Sequence, residues 1–353
     1  MNGLAHLKRA ASSYYGSLIV KRPHAKRGST PPGTGWARVT SICVVIPLHN
    51  KGPHIGRALD SVLRQTMPPA EIIVVDDASS DDGAQIARSY PGVRVMTRDK
   101  PGPGGYAARN LGIRSAASDF VAFLDADDEW DDNHLETLSR LIETAPQDAV
   151  MFATGYDEIH PGSRVIEDVY RRSGGKEALL AFPDFVRAWL DHGECPVWTS
   201  AIAARRGALL EAGLFPDQRC RRGGDKDLWL RLAKQGRVAI KPVRTAVYFK
   251  DSQNMVTSLS HDNVCHCMIE TIRSMLDGEP RSTRNLLIRL ANRETYLYAL
   301  RTAKSQRVRP AMWKHFQPLH NPLQFAVLLG LSSPFSRPLA KLAVGLKKRI
   351  APQ

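Results

Sequence analysis

The sequence contains few cysteines, no long apolar run and no acidic residue near either end. Five cysteines among 353 residues are too few for a disulfide framework, and they favour a reducing compartment. No stretch reaches the roughly 20 apolar residues of a membrane-spanning helix. The N-terminal residues also lack the sustained apolar segment of a signal peptide. We therefore expect neither a signal peptide nor a membrane span.

The missing acids divide the chain by charge. Residues 1–40 carry seven Lys or Arg, residues 295–353 carry ten, and neither segment contains Asp or Glu. Since these cations exceed the net charge of +14, residues 41–294 are slightly negative. Basic ends suit nucleic acid, an anionic lipid surface or plain solvent. They contain little aromatic interleaving and no recognisable nucleic-acid module, so we expect no nucleic-acid partner.

Between residues 41 and 150 the sequence alternates short β-branched runs with segments of helical periodicity. The predicted strands are 41–47, 71–77, 93–98 and 119–125, and the predicted helices are 54–66, 79–90, 104–117 and 133–145. This order predicts an α/β fold with a doubly wound, mostly parallel central sheet flanked by helices. The alternation then weakens, with predicted strands at 151–159 and 195–203 and predicted helices at 177–193, 223–237, 261–276 and 285–300.

Acidic residues follow two of these strands. Asp76 and Asp77 end the run EIIVVDD, and Asp125 and Asp127 end the run FVAFLDAD. Ligands of such sheets bind beyond the carboxyl ends of the strands, so we expect the two pairs to converge on one crevice. The further acids of residues 128–132 are predicted to form the charged N-terminus of a helix.

Three segments resemble the nucleotide-binding half of family-2 glycosyltransferases, which have the GT-A fold. They are VVIPLHNKGPHIGRALDSVLRQT, EIIVVDDASSDDG and PGPGGYAARNLGIRSAASDFVAFLDADDEW. Downstream, AIAARRGALLEAGLFPDQRCRRGGDKDLWLRLAKQG resembles the acceptor side of that family. The resemblance therefore covers roughly residues 40–260.

From these features we predict three regions. Residues 1–40 form a basic extension that includes a linker at 28–35. Residues 41–260 form a GT-A domain, with a nucleotide-binding half of about 41–150 and an acceptor half of about 151–260. Residues 261–353 form a basic helical region, which either lies on an anionic membrane surface or packs on the core of the protein.

The resemblance also implies roles for individual residues. Asp127 is implied to hold the metal ion, and Asp225 to act as the general base. The residues implied to bind the nucleotide-sugar are Pro47, Asn50, Asp76, Asp77, Arg109 and Asp125. One departure stands beside the base, because the family reads G-E-D where this chain reads Gly223-Gly224-Asp225. Asp227 is the fallback candidate for the base.

The chemistry fits these residue types. Mn²⁺ or Mg²⁺ prefers carboxylate and phosphate oxygens and acts as a Lewis acid on a diphosphate. A carboxylate can accept the proton of an attacking hydroxyl. The predicted function is inverting sugar transfer from a nucleotide-diphosphate sugar, with a UDP-sugar expected, to a saccharide or lipid-linked acceptor. We expect the protein in the cytoplasm, peripheral on the inner face of the plasma membrane, in bacterial cell-surface polysaccharide or glycolipid synthesis.

Two other functions stay open at this point. A nucleotidyltransferase acting on sugar phosphates would share the α/β sheet, although the loop HNKGPH is short and carries one Lys. A non-catalytic nucleic-acid-binding protein would fit the sequence pI of about 9.7. We do not expect a zinc site, because its candidate ligands lack the usual spacing; they are His261, Cys265, His266 and Cys267. We expect Trp198 and Trp229 in the core rather than against a sugar.

Overall fold

One mixed sheet organises the computed structural model, which describes residues 40–160, 163–165, 176–220, 222–250 and 263–333. Its ten strands are β1 Ile42–Leu48, β2 Glu71–Asp77, β3 Val93–Arg98, β4 Phe120–Phe123, β5 Glu129–Trp130, β6 Ala149–His160, β7 Ser163–Val165, β8 Ala178–Leu180, β9 Ile202–Arg205 and β10 Arg237–Phe249. Along the sheet they lie in the order β3-β2-β1-β4-β9-β6-β10-β5, with β7 beside β6 and β8 beside β10.

The first four strands in this order are parallel, as the alternation in the sequence predicts. The predicted α/β fold is confirmed. The second half of the sheet was harder to predict. Antiparallel β9 lies between β4 and β6, although β6 and β10 are parallel to each other. Pro242 and two exposed neighbours interrupt the apolar pattern of β10, which explains why this strand was missed.

Helices cover both faces of the sheet. They are α1 Gly52–Leu63, α2 Gly83–Arg88, α3 Tyr106–Ser115, α4 His134–Thr144, α5 Phe182–His192, α6 Arg206–Glu211, α7 Gly224–Gln235, α8 Cys267–Met275, α9 Arg281–Thr302 and α10 Pro322–Ser332. Most match predicted helices with shortened ends. The predicted helix 177–193 instead begins with β8, and the first part of predicted strand 195–203 precedes a 3₁₀ turn at Thr199–Ala201.

The alternation of β1 separates two buried clusters. Ile42, Val44 and Ile46 pack with α1, α2 and α4 on one face. Cys43 and Val45 pack on the other face, in a cluster that includes side chains of α3, α5, α7, α8 and α9. The C-terminal helices α8 and α9 therefore share the core of the sheet. They do not form a separate hydrophobic unit.

A third, smaller cluster joins the end of α9 to α10 and contains Leu300, Met312, Phe316, Leu328 and Leu331. Within the described ranges, no helix has both the length and the apolar character needed to cross a membrane. The predicted linker at 28–35 and the predicted boundary near 260 lie outside the described residues, so the three-region division stays a prediction.

Candidate active site

The two acidic pairs reach the same edge of the sheet because β1 lies between β2 and β4. Asp76 and Asp77 close β2, and Asp125 and Asp127 follow β4. The loop after β1 links the pairs, since Lys51 Nζ lies 2.7 Å from Asp127 Oδ2 and His49 Nδ1 lies 2.8 Å from the Asp77 carbonyl oxygen. The strand order thus produces the crevice that the sequence pattern predicts.

The same loop is held to the end of β2 by Asn50. This residue has a left-handed φ of 51°. Its Oδ1 accepts a hydrogen bond of 2.7 Å from Ser80 N, and its backbone N–H donates to Ser79 Oγ at 3.1 Å. Asp76 Oδ1 accepts from Ser79 N at 3.0 Å. Asn50 and Asp76 therefore fix the shape of the loops that follow β1 and β2.

The other three acids are paired with cations from neighbouring elements of the chain. Asp77 forms an ion pair with Arg98 and accepts from Gly102 N at 2.9 Å. Asp125 forms an ion pair with Arg109, and Asp127 with Lys51. Arg98 and Lys51 are not among the predicted site residues, although both stand at or just beyond strand carboxyl ends, where the same rule indicates binding residues.

Arg109 connects the two sides of the crevice. It is buried in α3, donates to the Gly104 carbonyl oxygen at 3.1 Å, and pairs with Asp125. Burial opposes its charge, but Asp125, with smaller contributions from Tyr106 and Asp225, raises its pKa above the ordinary value. Pro47 lies beside this position, against the Gly105 turn that precedes α3. Arg109 is thus a fixed cation near both Asp125 and Asp225.

Residues 128–132 do not begin a helix, so that prediction was wrong. Glu129 and Trp130 form β5 and pair with β10, and the helix starts only at His134. Asp128 is 1% exposed and accepts from Ser200 Oγ at 2.7 Å. Trp130 favours the strand over a helix here, because its side chain is buried and donates from Nε1 to the Ser200 carbonyl oxygen at 2.5 Å.

The crowding of acids here fits a divalent cation. Burial raises the pKa of Asp128 well above its ordinary value, and the negative charges of Asp125 and Asp127 raise it further. Such a cluster is stabilised by added positive charge. Its donors are carboxylate oxygens, the ligands that Mg²⁺ and Mn²⁺ prefer. Asp125 and Asp127 are the less buried members, and they would hold the ion.

Asp225 lies in the first turn of α7 and is half-buried. Among the described residues its carboxylate makes no hydrogen bond or ion pair, so its oxygens are available to a ligand. Asp227 is different, because it is fully buried and Arg231 lies 2.7 Å from its Oδ2, while Thr271 Oγ1 donates to Oδ1. Its contacts make Asp227 a structural residue of α7, and they weaken it as the fallback base.

The departure at Gly224 has a steric cause. A Cβ atom on Gly224 would lie 2.9 Å from the ring of Tyr106. The Gly224 N–H also donates to the Tyr106 hydroxyl at 2.9 Å. Gly223 before it has a φ of 69°, and a side chain there would meet the Tyr298 hydroxyl at 2.5 Å. Tyr106 therefore fills the space that a glutamate before Asp225 would need.

The C-terminal helices hold the segment around Asp225. Lys226 Nζ lies 2.9 Å from Glu294 Oε2, on α9. Cys220 and Cys267 form a disulfide, which the scattered cysteines did not lead us to expect. His266 accepts from Met268 N through Nδ1 and donates from Nε2 to the Arg222 carbonyl oxygen at 2.8 Å. These side chains therefore make structural contacts around Asp225. His261, the remaining histidine of the zinc-site candidates, lies outside the described residues.

The two tryptophans singled out in the sequence differ. Trp229 is 1% exposed and packs in the core. Trp198 is half-buried and lies between Tyr156 and Tyr248, with ring centroids 4.4 and 5.0 Å away. Burial raises the pKa of Tyr248, and the charges of Asp128, Asp125 and Asp127 raise it further. This aromatic trio, Tyr156, Trp198 and Tyr248, therefore borders the acidic cluster.

Residues 43–202 match the model of glycosyl transferase family 2. The chain carries a family-2 glycosyltransferase domain. Relatives of known sequence agree. An uncharacterized glycosyltransferase of Rickettsia felis is 29% identical over 202 residues, which are 56% of this chain and 31% of the relative. The uncharacterized glycosyltransferase YwdF of Bacillus subtilis is 28% identical, over 60% of this chain and 75% of the relative.

Solved structures show the same fold for this family-2 glycosyltransferase. Residues 1–349 of S. aureus TarS in complex with UDP-GlcNAc align over 86% of this chain and 92% of that fragment, with a TM-score of 0.64 and 16% sequence identity. The chain spans about a third of the length of the first curated relatives. A nucleotidyltransferase would share only the type of sheet with this family.

Proposed function

We propose that the chain transfers a sugar from a nucleotide-diphosphate sugar to a hydroxyl group of a saccharide or lipid-linked acceptor, with inversion at the anomeric carbon. The observation that carries this proposal is the arrangement of the acids around Arg109. Asp125 pairs with this cation, and Asp225 is close enough to raise its pKa. The acidic edge of the sheet and the Asp225 carboxylate, which makes no hydrogen bond or ion pair among the described residues, thus lie near the same cation.

On the donor side, Asp76, Asp77 and the loop held by Asn50 would contact the nucleoside. Asp125 and Asp127 would hold Mn²⁺ or Mg²⁺, which when bound supplies Lewis-acid stabilisation to the diphosphate. Lys51 and Arg109 neutralise these carboxylates in the free protein. With a cation held by Asp125 and Asp127, Lys51 and Arg109 would be able to contact the phosphate oxygens. The donor we propose is a UDP-sugar, because the structural neighbour TarS was solved with UDP-GlcNAc.

On the acceptor side, Asp225 would accept the proton of the attacking hydroxyl. That oxygen bonds to the anomeric carbon as the bond to the nucleoside diphosphate breaks. Attack from the face opposite the leaving group inverts the configuration. A positioned general base typically contributes about 100- to 10,000-fold in rate. Among the described residues, no hydrogen bond or ion pair occupies the Asp225 carboxylate, which suits this role.

The aromatic trio is the best candidate for a sugar platform. Trp198 is half-buried between two tyrosines rather than enclosed in the core, and the trio borders the acids. Aromatic faces pack well against the apolar face of a pyranose ring. We propose that this platform contacts the acceptor sugar. We also propose that the protein works at the inner face of the plasma membrane, in cell-surface polysaccharide or glycolipid synthesis.

The test is a donor screen with the purified chain. A panel of UDP-, GDP- and dTDP-sugars is incubated with Mn²⁺, with Mg²⁺ or with a chelator, and released nucleoside diphosphate is measured. We expect cation-dependent release from one nucleotide class, and an NMR spectrum of the product with inverted anomeric configuration. Nucleoside diphosphate release at the same rate in the presence of the chelator would contradict the proposed role of the metal ion. A retained configuration would contradict Asp225 as an in-line base.

A further inference from the structure

The most exposed large apolar side chains of the described residues gather in the C-terminal region. Leu319 is 97% exposed, Leu323 83% and Leu329 49%. Val264, at 58%, is the other one of comparable exposure. Leu323, Ala326 and Leu329 recur at every third residue of α10, so they share one side of the helix, and all three are exposed. We call these three residues the leucine face. Leu319 precedes them in the 3₁₀ turn Pro318–His320.

This exposure is not a by-product of folding. The opposite side of α10 already packs in the small C-terminal cluster through Leu328 and Leu331, which are 0% and 1% exposed. The helix PLQFAVLLGLS contains no charged residue. An ordinary surface helix has a polar outer side. Here the outer side is apolar as well, which is typical of a surface that meets something other than water.

Positive charge accompanies the leucine face. Residues 295–333 contain five Lys or Arg and no acid, and residues 334–353 contain five more and again no acid. Arg307 Nε donates to the Ser332 carbonyl oxygen at 2.8 Å, so one cation stands at the end of α10. Arg309 and Lys304 are exposed. Two copies of so basic a region would repel each other, whereas an anionic lipid surface would attract it.

We propose that the leucine face lies on a bilayer that contains anionic phospholipid, with the leucines below the headgroups and the cations among them. A helix of this kind lies in the interface rather than across it. The proposal does not depend on the transfer reaction. It assigns membrane contact to named side chains of an ordered helix, and not to the basic ends alone.

The experiment is sedimentation of the full chain with phosphatidylcholine vesicles, with or without phosphatidylglycerol. The test variant carries Leu319→Ser, Leu323→Ser and Leu329→Ser. The matched control carries Leu179→Ser and Leu210→Ser, which are exposed apolar positions elsewhere on the molecule. We expect wild type to bind anionic vesicles, and the test variant to lose about tenfold or more in partition coefficient. The control should bind as wild type does.

Two further measurements make each outcome decisive. Thermal unfolding should be unchanged in the test variant, because the three leucines are exposed. Light scattering without vesicles should give the same mass for wild type and variant. Wild type that stays in the supernatant, or a test variant that binds as tightly as wild type, would overturn the proposal. A dimer that only the test variant loses would show that the face joins two protein copies.

Discussion

The two sides of the crevice are built in different ways. On the donor side, each acid stands within a few residues of the strand that positions it. Asp77 and Asp127 pair with Arg98 and Lys51, at or just beyond the ends of neighbouring strands, and Asp125 pairs with Arg109 of α3. On the acceptor side, Asp225 stands on a helix whose flanking residues contact α8 and α9. Glu294, for example, lies 68 residues beyond its partner Lys226. The proposed donor site is thus a local property of the sheet, whereas the position of the proposed base, Asp225, depends on the C-terminal helices.

This difference predicts that damage to the C-terminal helices should affect transfer more than nucleotide binding. Burial would favour the neutral form of Glu294, yet its pKa is lowered, chiefly by Lys226 and further by Arg293. The Trp189 Nε1–H donates to it at 3.3 Å. Glu294 is therefore the anionic centre that joins α5, α7 and α9.

The largest effect is expected for Asp127→Asn, which removes a carboxylate from the donor side. Losing one group that stabilises transition-state charge typically costs about 100- to 1,000-fold in rate. Nucleoside diphosphate release would be measured over a range of Mn²⁺ concentrations. Asp132→Asn is the matched control, because its carboxylate is exposed and pairs only weakly with Arg64, at 3.4 Å. Equal losses in both variants would show that net charge, rather than a cation site, matters.

The next effect separates two neighbouring acids on the acceptor side. Asp225→Asn should lower the transfer rate by about 100-fold or more while leaving the unfolding temperature unchanged. Asp227→Ala should instead lower stability by about 3 kcal/mol, because it leaves Arg231 without its buried partner. Rate and thermal unfolding would be measured on both. A stable Asp227→Ala protein that has lost transfer would reverse the assignment.

A third variant, Glu294→Gln, tests the dependence on the C-terminal helices. It leaves Lys226 partly buried without its counter-ion, so we expect a loss of about 3 kcal/mol in the free energy of unfolding by urea. The double variant Lys226→Met/Glu294→Gln should recover part of that loss. Calorimetry on folded protein should give unchanged nucleoside diphosphate affinity. If Glu294→Gln weakened nucleotide binding as much as transfer, the two sides would not be separable.

The smallest expected effect per unit of pH concerns two buried histidines, one on the donor side of the crevice and one on the acceptor side. Burial lowers the pKa of His134 from 6.5 to about 3, and that of His266 from 6.5 to about 4. The pKa of each histidine is lower in the folded than in the unfolded protein. Its contribution to the free energy of unfolding is therefore fully present above pH 6.5 and is lost as the pH falls towards the folded-state pKa. Each histidine contributes at most about 1.4 kcal/mol per pH unit in that range.

Urea unfolding between pH 7 and about pH 4 would measure this contribution. The stability of His134→Asn should fall less steeply with decreasing pH than that of wild type. His134 Nδ1 donates to Thr245 Oγ1 at 2.7 Å, and an asparagine amide offers a similar donor. Parallel pH profiles for the two proteins would contradict the burial of a neutral imidazole.

The same contrast explains what could be predicted from sequence. Strand ends are local, so the convergence of Asp76 and Asp125 followed from the order of apolar runs. The structure of residues 128–132 could not be predicted in this way. An acidic run favours a helix N-terminus, but β5 pairs with β10, which is distant in the sequence. Two hydrogen bonds of the site join positions more than 60 residues apart, those of Tyr106 with Gly224 and of Lys226 with Glu294. No periodicity in a single sequence encodes such contacts.

The most direct test of this division is calorimetric binding of a UDP-sugar, in the presence of Mn²⁺, to wild type, Asp127→Asn and Asp225→Asn. The account predicts that Asp127→Asn binds the donor far more weakly than wild type. It predicts that Asp225→Asn binds the donor as wild type does, although both variants fail to transfer the sugar. Equal donor binding by all three proteins, or loss of binding in Asp225→Asn alone, would contradict it.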